Sequence, residues 1–130
     1  MRTREQMEAS LQALPALVNT DEALVRRGCT LRGSFLVQID EAGWLVEVDK
    51  GRIGSVTRAG NTPNCLFSLR ADAATWAGFW EPEPRPGHQD IFPLVKLRKI
   101  RIAGDTRLFA AYLLYVKGVL AAPRRHRGAA

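Results

Sequence analysis

Between Leu31 and Ala71 the chain alternates apolar and polar side chains with the two-residue period of half-buried β-strands. Phe35, Val37 and Ile39 alternate with Ser34, Leu36 and Gln38, and Trp44, Val46 and Val48 alternate with Leu45, Glu47 and Asp49. Asp40-Glu41-Ala42-Gly43 and Asp49-Lys50-Gly51-Arg52 carry turn residues, and a third run, Ile53 to Arg58, follows the second turn. Beyond the longer loop Gly60-Asn61-Thr62-Pro63-Asn64, Cys65, Phe67 and Leu69 share one face of a fourth run. Four strands joined by short connections predict an antiparallel meander. A fifth run, Leu97 to Ala103, sets Ile100 and Ile102 against Lys99 and Arg101 and ends at the corner Gly104-Asp105.

The rest of the chain follows the helical period. Met7, Leu11 and Leu14 mark a helix from Arg4 to Leu14, ended by Pro15. Thr20 is placed to cap a second helix, with Asp21 and Glu22 in its first turn, Arg26 and Arg27 in its last, and Gly28 as its stop. Asp72 caps a short helix, Ala73 to Trp80, with Trp76, Phe79 and Trp80 on one face. The prolines of residues 81–88 predict an extended connector, and Asp90 to Val95 reads as a helical turn. After Asp105, a final helix gathers Leu108, Tyr112, Val116 and Val119 on one face beside Phe109 and Leu120, with Thr106, Arg107, Ala110, Lys117 and Gly118 behind. An apolar face this wide covers a sheet, lines a cavity, or meets a membrane or partner.

Composition narrows these options. The 130 residues, 46% hydrophobic and 25% charged, suit one α+β domain over residues 1–123, followed by a frayed basic tail, 124–130. No apolar run reaches the roughly 18 residues needed to span a bilayer. The charged N-terminus lacks a signal-peptide core, so a cytoplasmic location is expected, with Cys29 and Cys65 as unpaired thiols, one buried and one on a strand. The net charge of +6 concentrates in Lys96–Arg107 and Arg124–Arg127. A solvated face, contact with an anionic membrane, and nucleic-acid binding all fit that distribution, but no recognition helix or zinc spacing supports the last. The two histidines, His88 and His126, lie in the proline-rich loop and the tail, and Gly51, Gly54 and Gly60 are spaced for turns. No catalytic residue, metal ligand or cofactor motif is therefore expected, and His88 with Asp90 reads as a solvated pair.

The ordered set of features resembles the sterol carrier protein 2 (SCP2-like) lipid-binding superfamily. The residues that carry the likeness are Trp44-Leu45-Val46-Glu47-Val48, the turn at Gly51, Pro63-Asn64-Cys65-Leu66-Phe67-Ser68-Leu69-Arg70-Ala71-Asp72, Trp76, and Lys99-Ile100-Arg101-Ile102-Ala103-Gly104-Asp105 followed by Leu108. Asn64 stands where the family often has Asp, and residues 81–87 exceed the usual connector. Asp90-Ile91-Phe92 is similar to SCP2-type accessory factors of bacterial ubiquinone assembly.

The resemblance implies a five-stranded, mainly antiparallel sheet, covered by helices on one face, with an apolar cavity between the layers. It implies a non-catalytic carrier of a sterol, fatty acyl, phospholipid or quinone ligand. On that basis Trp76, Phe79 and Trp80 form one wall, Phe92 lies near the mouth, and Leu108, Phe109, Tyr112, Leu113 and Val116 supply the lid. Tyr112 or Tyr115 is available to a ligand head group. The alternative is a filled interior and a homodimer or interaction module that serves a lipid- or quinone-modifying enzyme.

Overall fold

In the computed structural model, which describes residues 3–60 and 64–126, the alternating runs form strands β1 (Arg32–Ile39), β2 (Ala42–Asp49), β3 (Arg52–Arg58), β4 (Phe67–Ala71) and β5 (Arg101–Gly104). They make one sheet in the order β3-β2-β1-β4-β5. β1, β2 and β3 are the expected hairpins, with the register shifting at Glu47/Val48 opposite Gly54. Asp40 and Lys50 take positive φ at the two turns, as such turns require.

β4 departs from the expected meander. It pairs with β1, and in parallel, with Phe35 opposite Phe67 and Val37 opposite Leu69. The outer edge of β3 is closed to it: the Asn19 side-chain amide donates to Ile53 O at 3.0 Å, and Ile53 N–H donates to Asn19 Oδ1 at 2.8 Å. The chain therefore returns across β2 and β1, pairing Leu66 N–H with Ser34 O at 2.7 Å before β4 begins. β5 then adds antiparallel to β4.

The helices are α1 (Arg4–Gln12), α2 (Leu14–Asn19), α3 (Glu22–Arg27), α4 (Ala73–Phe79), α5 (Ile91–Lys96), α6 (Thr106–Ala111) and α7 (Leu113–Ala121), with a 3₁₀ turn over Ala122–Arg125. Pro15 opens α2 rather than ending the first helical segment, because a proline in the first turn forfeits no helical hydrogen bond. Asp21, not Thr20, caps α3, accepting from Leu24 N–H at 3.2 Å; the Thr20 hydroxyl donates back to Ala16 O. The last helix is two helices, interrupted at Tyr112 (φ −106°, ψ 25°). Its expected polar side is also revised at Gly118, which is half-buried because α3 lies on α7 there. A Cβ at Gly118 would come within 2.4 Å of Leu24 Cδ1.

One face of the sheet carries Phe35, Val37, Ile39, Trp44, Val46, Val56, Phe67 and Leu69 into the core, where Met7, Leu11, Leu14, Leu24, Trp76, Leu94, Val116 and Val119 meet them. β5 is shorter than its alternation suggested: Leu97 to Ile100 form a turn after α5, and only Ile100 of that segment is buried. The tail is docked rather than frayed over Arg124–His126. Arg124 donates to Phe79 O, Arg125 donates to Leu17 O at 3.2 Å, and His126 Nδ1 lies 3.0 Å from Ser10 Oγ. Residues 127–130 of the expected tail lie outside the described residues. Cys29 is exposed and Cys65 half-buried; both are free thiols.

Candidate functional site

Helix α4 brings the expected aromatic wall together. Asp72 accepts from Thr75 N–H at 2.7 Å and starts the helix; the i, i+3, i+4 spacing then turns Trp76, Phe79 and Trp80 inward. The rings of Trp76 and Trp80 stack with centroids 5.1 Å apart, and Phe79 meets Trp76 edge-on at 6.2 Å. Both indole N–H groups are satisfied by backbone: Trp76 donates to Gln38 O at 2.9 Å and Trp80 to Leu120 O at 2.7 Å. The Arg124 guanidinium covers the Phe79 ring at 4.7 Å. All three aromatics are fully enclosed in the core.

A second aromatic group escaped the sequence reading in part. Phe35 and Phe67 stack across β1 and β4 with centroids 5.3 Å apart, and Phe109 of α6 closes on Phe67 edge-on at 5.5 Å. Phe109 is among the expected lid residues; Phe35 and Phe67 lie on separate strands of the sequence pattern, and it is the parallel pairing that makes them neighbours.

The other expected lid and mouth residues divide by depth. Val116 is buried, Leu108, Tyr112 and Leu113 are half-buried, and Phe92 is 48% exposed. Phe109 is the single buried residue of α6. The two tyrosines also separate. Tyr115 is buried and donates to Gly51 O at 2.8 Å, and burial holds its phenol well above the ordinary range, so its hydroxyl belongs to the fold. Tyr112 lies at the surface end, its hydroxyl 2.6 Å from Thr30 Oγ1.

Phe92 sits beneath Lys117, whose Nζ is 5.2 Å from the ring centroid and 2.7 Å from Asp90 Oδ2. Burial raises the Asp90 carboxyl, and hydrogen bonds from Lys117 and the Phe92 amide outweigh it, leaving a net shift downward. Asp90 therefore pairs with Lys117 and not with His88. The His88 ring packs over Gly78, where a Cβ would come within 2.7 Å of Cδ2, so this loop residue is not simply solvated.

Elsewhere the surface holds open clefts. One of about 330 Å³ is lined by Asp40, Arg70, Asp72, Lys99 and Arg101, and one of about 660 Å³ by Ala16, Leu17, Thr20, Asp21, Glu22 and Arg125. Neither involves the nine expected ligand contacts. Among the described residues there is no group of three or more His, Cys, Asp or Glu side chains able to hold a metal ion. No helix among them is long and apolar enough to cross a membrane.

The fold recurs in solved structures. A sterol carrier protein 2 crystal structure superposes with a TM-score of 0.73 at 17% identity, covering 90% of this chain and 95% of the other. A conserved hypothetical protein of Thermus thermophilus, suggested to be a sterol carrier protein, gives 0.68 at 19% identity, covering 90% and 85%. A ubiquinone synthesis protein, UbiJ-SCP2, gives 0.60 at 11% identity, covering 98% and 99%. No protein-family model matches the chain. No curated protein matches it either. The fold is SCP2-like: α+β, with a mixed five-stranded sheet and helices packed on it.

Proposed function

We propose that the protein carries a hydrophobic ligand, an acyl, sterol or isoprenoid chain, admitted between the sheet and the α6–α7 pair. The observation that carries this reading is the light anchoring of α6. Its one buried side chain, Phe109, lies over the Phe35–Phe67 stack, and the helix is separated from α7 by the break at Tyr112. Releasing α6 exposes Phe109 and the half-buried Leu108 and Tyr112, and breaks the exposed Tyr112–Thr30 hydrogen bond, at about 1 kcal/mol. A ligand that withdraws about 300 Å² of apolar surface from water gains roughly 7 kcal/mol before association entropy is subtracted, which works against that opening cost.

In this reading Phe109 is the plug, and Leu108, Tyr112, Leu113 and Val116 line the way in. Phe92 stands at the rim, and Trp76, Phe79 and Trp80 are the rigid back wall. The names of the structural neighbours, sterol carrier and ubiquinone synthesis protein, agree with a hydrophobic cargo. The chain's own residues offer positioning and exclusion of water; nothing in the proposed path is arranged for covalent chemistry.

Titration with a fluorescent acyl chain tests the proposal. Saturable binding is expected, and Phe109→Ala, which unplugs the interior, is expected to raise the affinity for short chains. Absence of saturable binding in both proteins, with the fold intact by circular dichroism, refutes it. The close packing of Trp76, Phe79 and Trp80 favours a second reading, a permanently filled interior in an accessory or homodimeric module. A ligand-free protein that self-associates in light scattering would support that reading instead.

A further inference from the structure

Among the described residues, the large hydrophobic side chains left exposed are Phe92 (48%), Leu97 (66%) and Leu114 (62%). Two of them belong to α5 and the turn that follows. Ile91 and Leu94, three residues apart, are buried against the body, which leaves Phe92, Pro93, Lys96 and Leu97 facing outward. Leu114 joins them through Lys117: the Lys117 ammonium covers the Phe92 ring, and Leu114 lies one turn earlier on the same side of α7.

Along residues 91–104 the charges have one sign, with Asp40 and Asp72 across the cleft from Lys99 and Arg101. From Ile91 to Gly104 the chain carries no acidic residue, while Lys96, Arg98, Lys99 and Arg101 are all exposed. The adjoining Asp90 is held by Lys117. The turn that presents these groups is tightly built: Lys99 N–H donates to Leu94 O at 2.8 Å and Arg98 N–H to Val95 O at 3.0 Å, the two bonds of a Schellman cap. Arg98 occupies the left-handed position of that cap (φ 61°), where glycine is the relaxed choice. The fold thus accepts a strained backbone with a cation beside Leu97.

We propose that residues 91–99, together with Leu114, dock the protein on an anionic lipid surface, the apolar side chains entering the acyl boundary and the cations lying at the phosphate layer. Exposed apolar groups rimmed by Lys and Arg are the pattern such surfaces bind. A second copy of the chain would bring the same cations face to face, and like charges oppose that pairing. Docking here goes beyond the carrier reading and does not require a ligand in the interior.

Co-sedimentation with vesicles of phosphatidylcholine alone, and of phosphatidylcholine mixed with phosphatidylglycerol, tests the inference. Binding is expected only to the mixed vesicles and is expected to weaken with salt. Arg98→Gly removes the charge and relaxes the cap, so it should keep or raise thermal stability while weakening vesicle binding about fivefold. Leu97→Ser combined with Leu114→Ser should weaken binding with the circular dichroism unchanged. Equal binding to both vesicles, no binding, or variants that bind like the wild type would overturn the inference. So would competition by inorganic phosphate stronger than that of sodium chloride at equal ionic strength, which would indicate a phosphate pocket, or a dimer in light scattering abolished by the Leu97/Leu114 variant, which would assign the face to a second copy. Acyl-probe binding without vesicles separates the two proposals: vesicle binding lost with probe binding intact removes docking alone, and the reverse removes the carrier alone.

Discussion

Tyr115 joins three parts of the fold in one side chain. Its ring fills the space beside Gly28, where a Cβ would come within 2.6 Å of the ring, and its hydroxyl donates to Gly51 O in the turn between β2 and β3. Tyr115→Phe leaves that carbonyl unpaired, and urea denaturation is expected to show a loss of about 1–2 kcal/mol. Burial raises the phenol pKa above its unfolded value. The hydroxyl's contribution is therefore complete below about pH 10 and is lost as pH rises further. Stability should fall more steeply above about pH 10 in the wild type than in Tyr115→Phe. Asp72 has the opposite sign. Hydrogen bonds from the Thr75 side chain and amide hold its carboxyl below the ordinary value of 3.8. Its contribution is present above that value and is lost as pH falls. Asp72→Ala should destabilise by about 1 kcal/mol at neutral pH, and the difference from wild type should narrow in acid-side denaturation curves.

At the scale of elements, α6 is joined to the rest by Phe109, its one buried residue, by the half-buried Leu108, and by the Tyr112–Thr30 hydrogen bond at its end. Hydrogen exchange should find the α6 amides opening faster than those of α7, and Tyr112→Phe should speed α6 exchange further while lowering overall stability by less than about 1 kcal/mol. Exchange at equal rates in the two helices would remove the lid. The elements themselves were largely legible in the sequence. Alternation located β1, β2 and β3, and Asp72 and Asp105 announced α4 and α6. Alternation specifies which side chains share a face, not which strand lies alongside; β4 could be placed beside β1 only once Asn19 had closed the edge of β3. Tyr112 fits the helical period of its neighbours, so the break there left no mark in the pattern.

At the scale of the molecule, the site was half legible. The spacing of Trp76, Phe79 and Trp80 predicts the aromatic cluster the structure shows, and their role as a ligand wall, like that of Leu108 to Val116 as a lid, belongs to the proposal. What the pattern could not show is that the indoles are satisfied by the carbonyls of Gln38 and Leu120, distant in the chain, and that all three rings are fully buried. Leu97 fits the alternation of the fifth run and Leu114 the apolar period of the last helix, so the exposed basic-apolar face leaves no mark in the pattern. The proposed carrier rests on the buried aromatic layer, the single buried side chain of α6 and the exposed rim at Phe92. Native mass spectrometry of the purified protein, followed by organic extraction and analysis of the extract, tests this most directly. The account predicts a stoichiometric lipid, sterol or quinone bound to the chain, lost on extraction and restored on incubation with an acyl chain. Repeated preparations that carry no such molecule and take up none would contradict it.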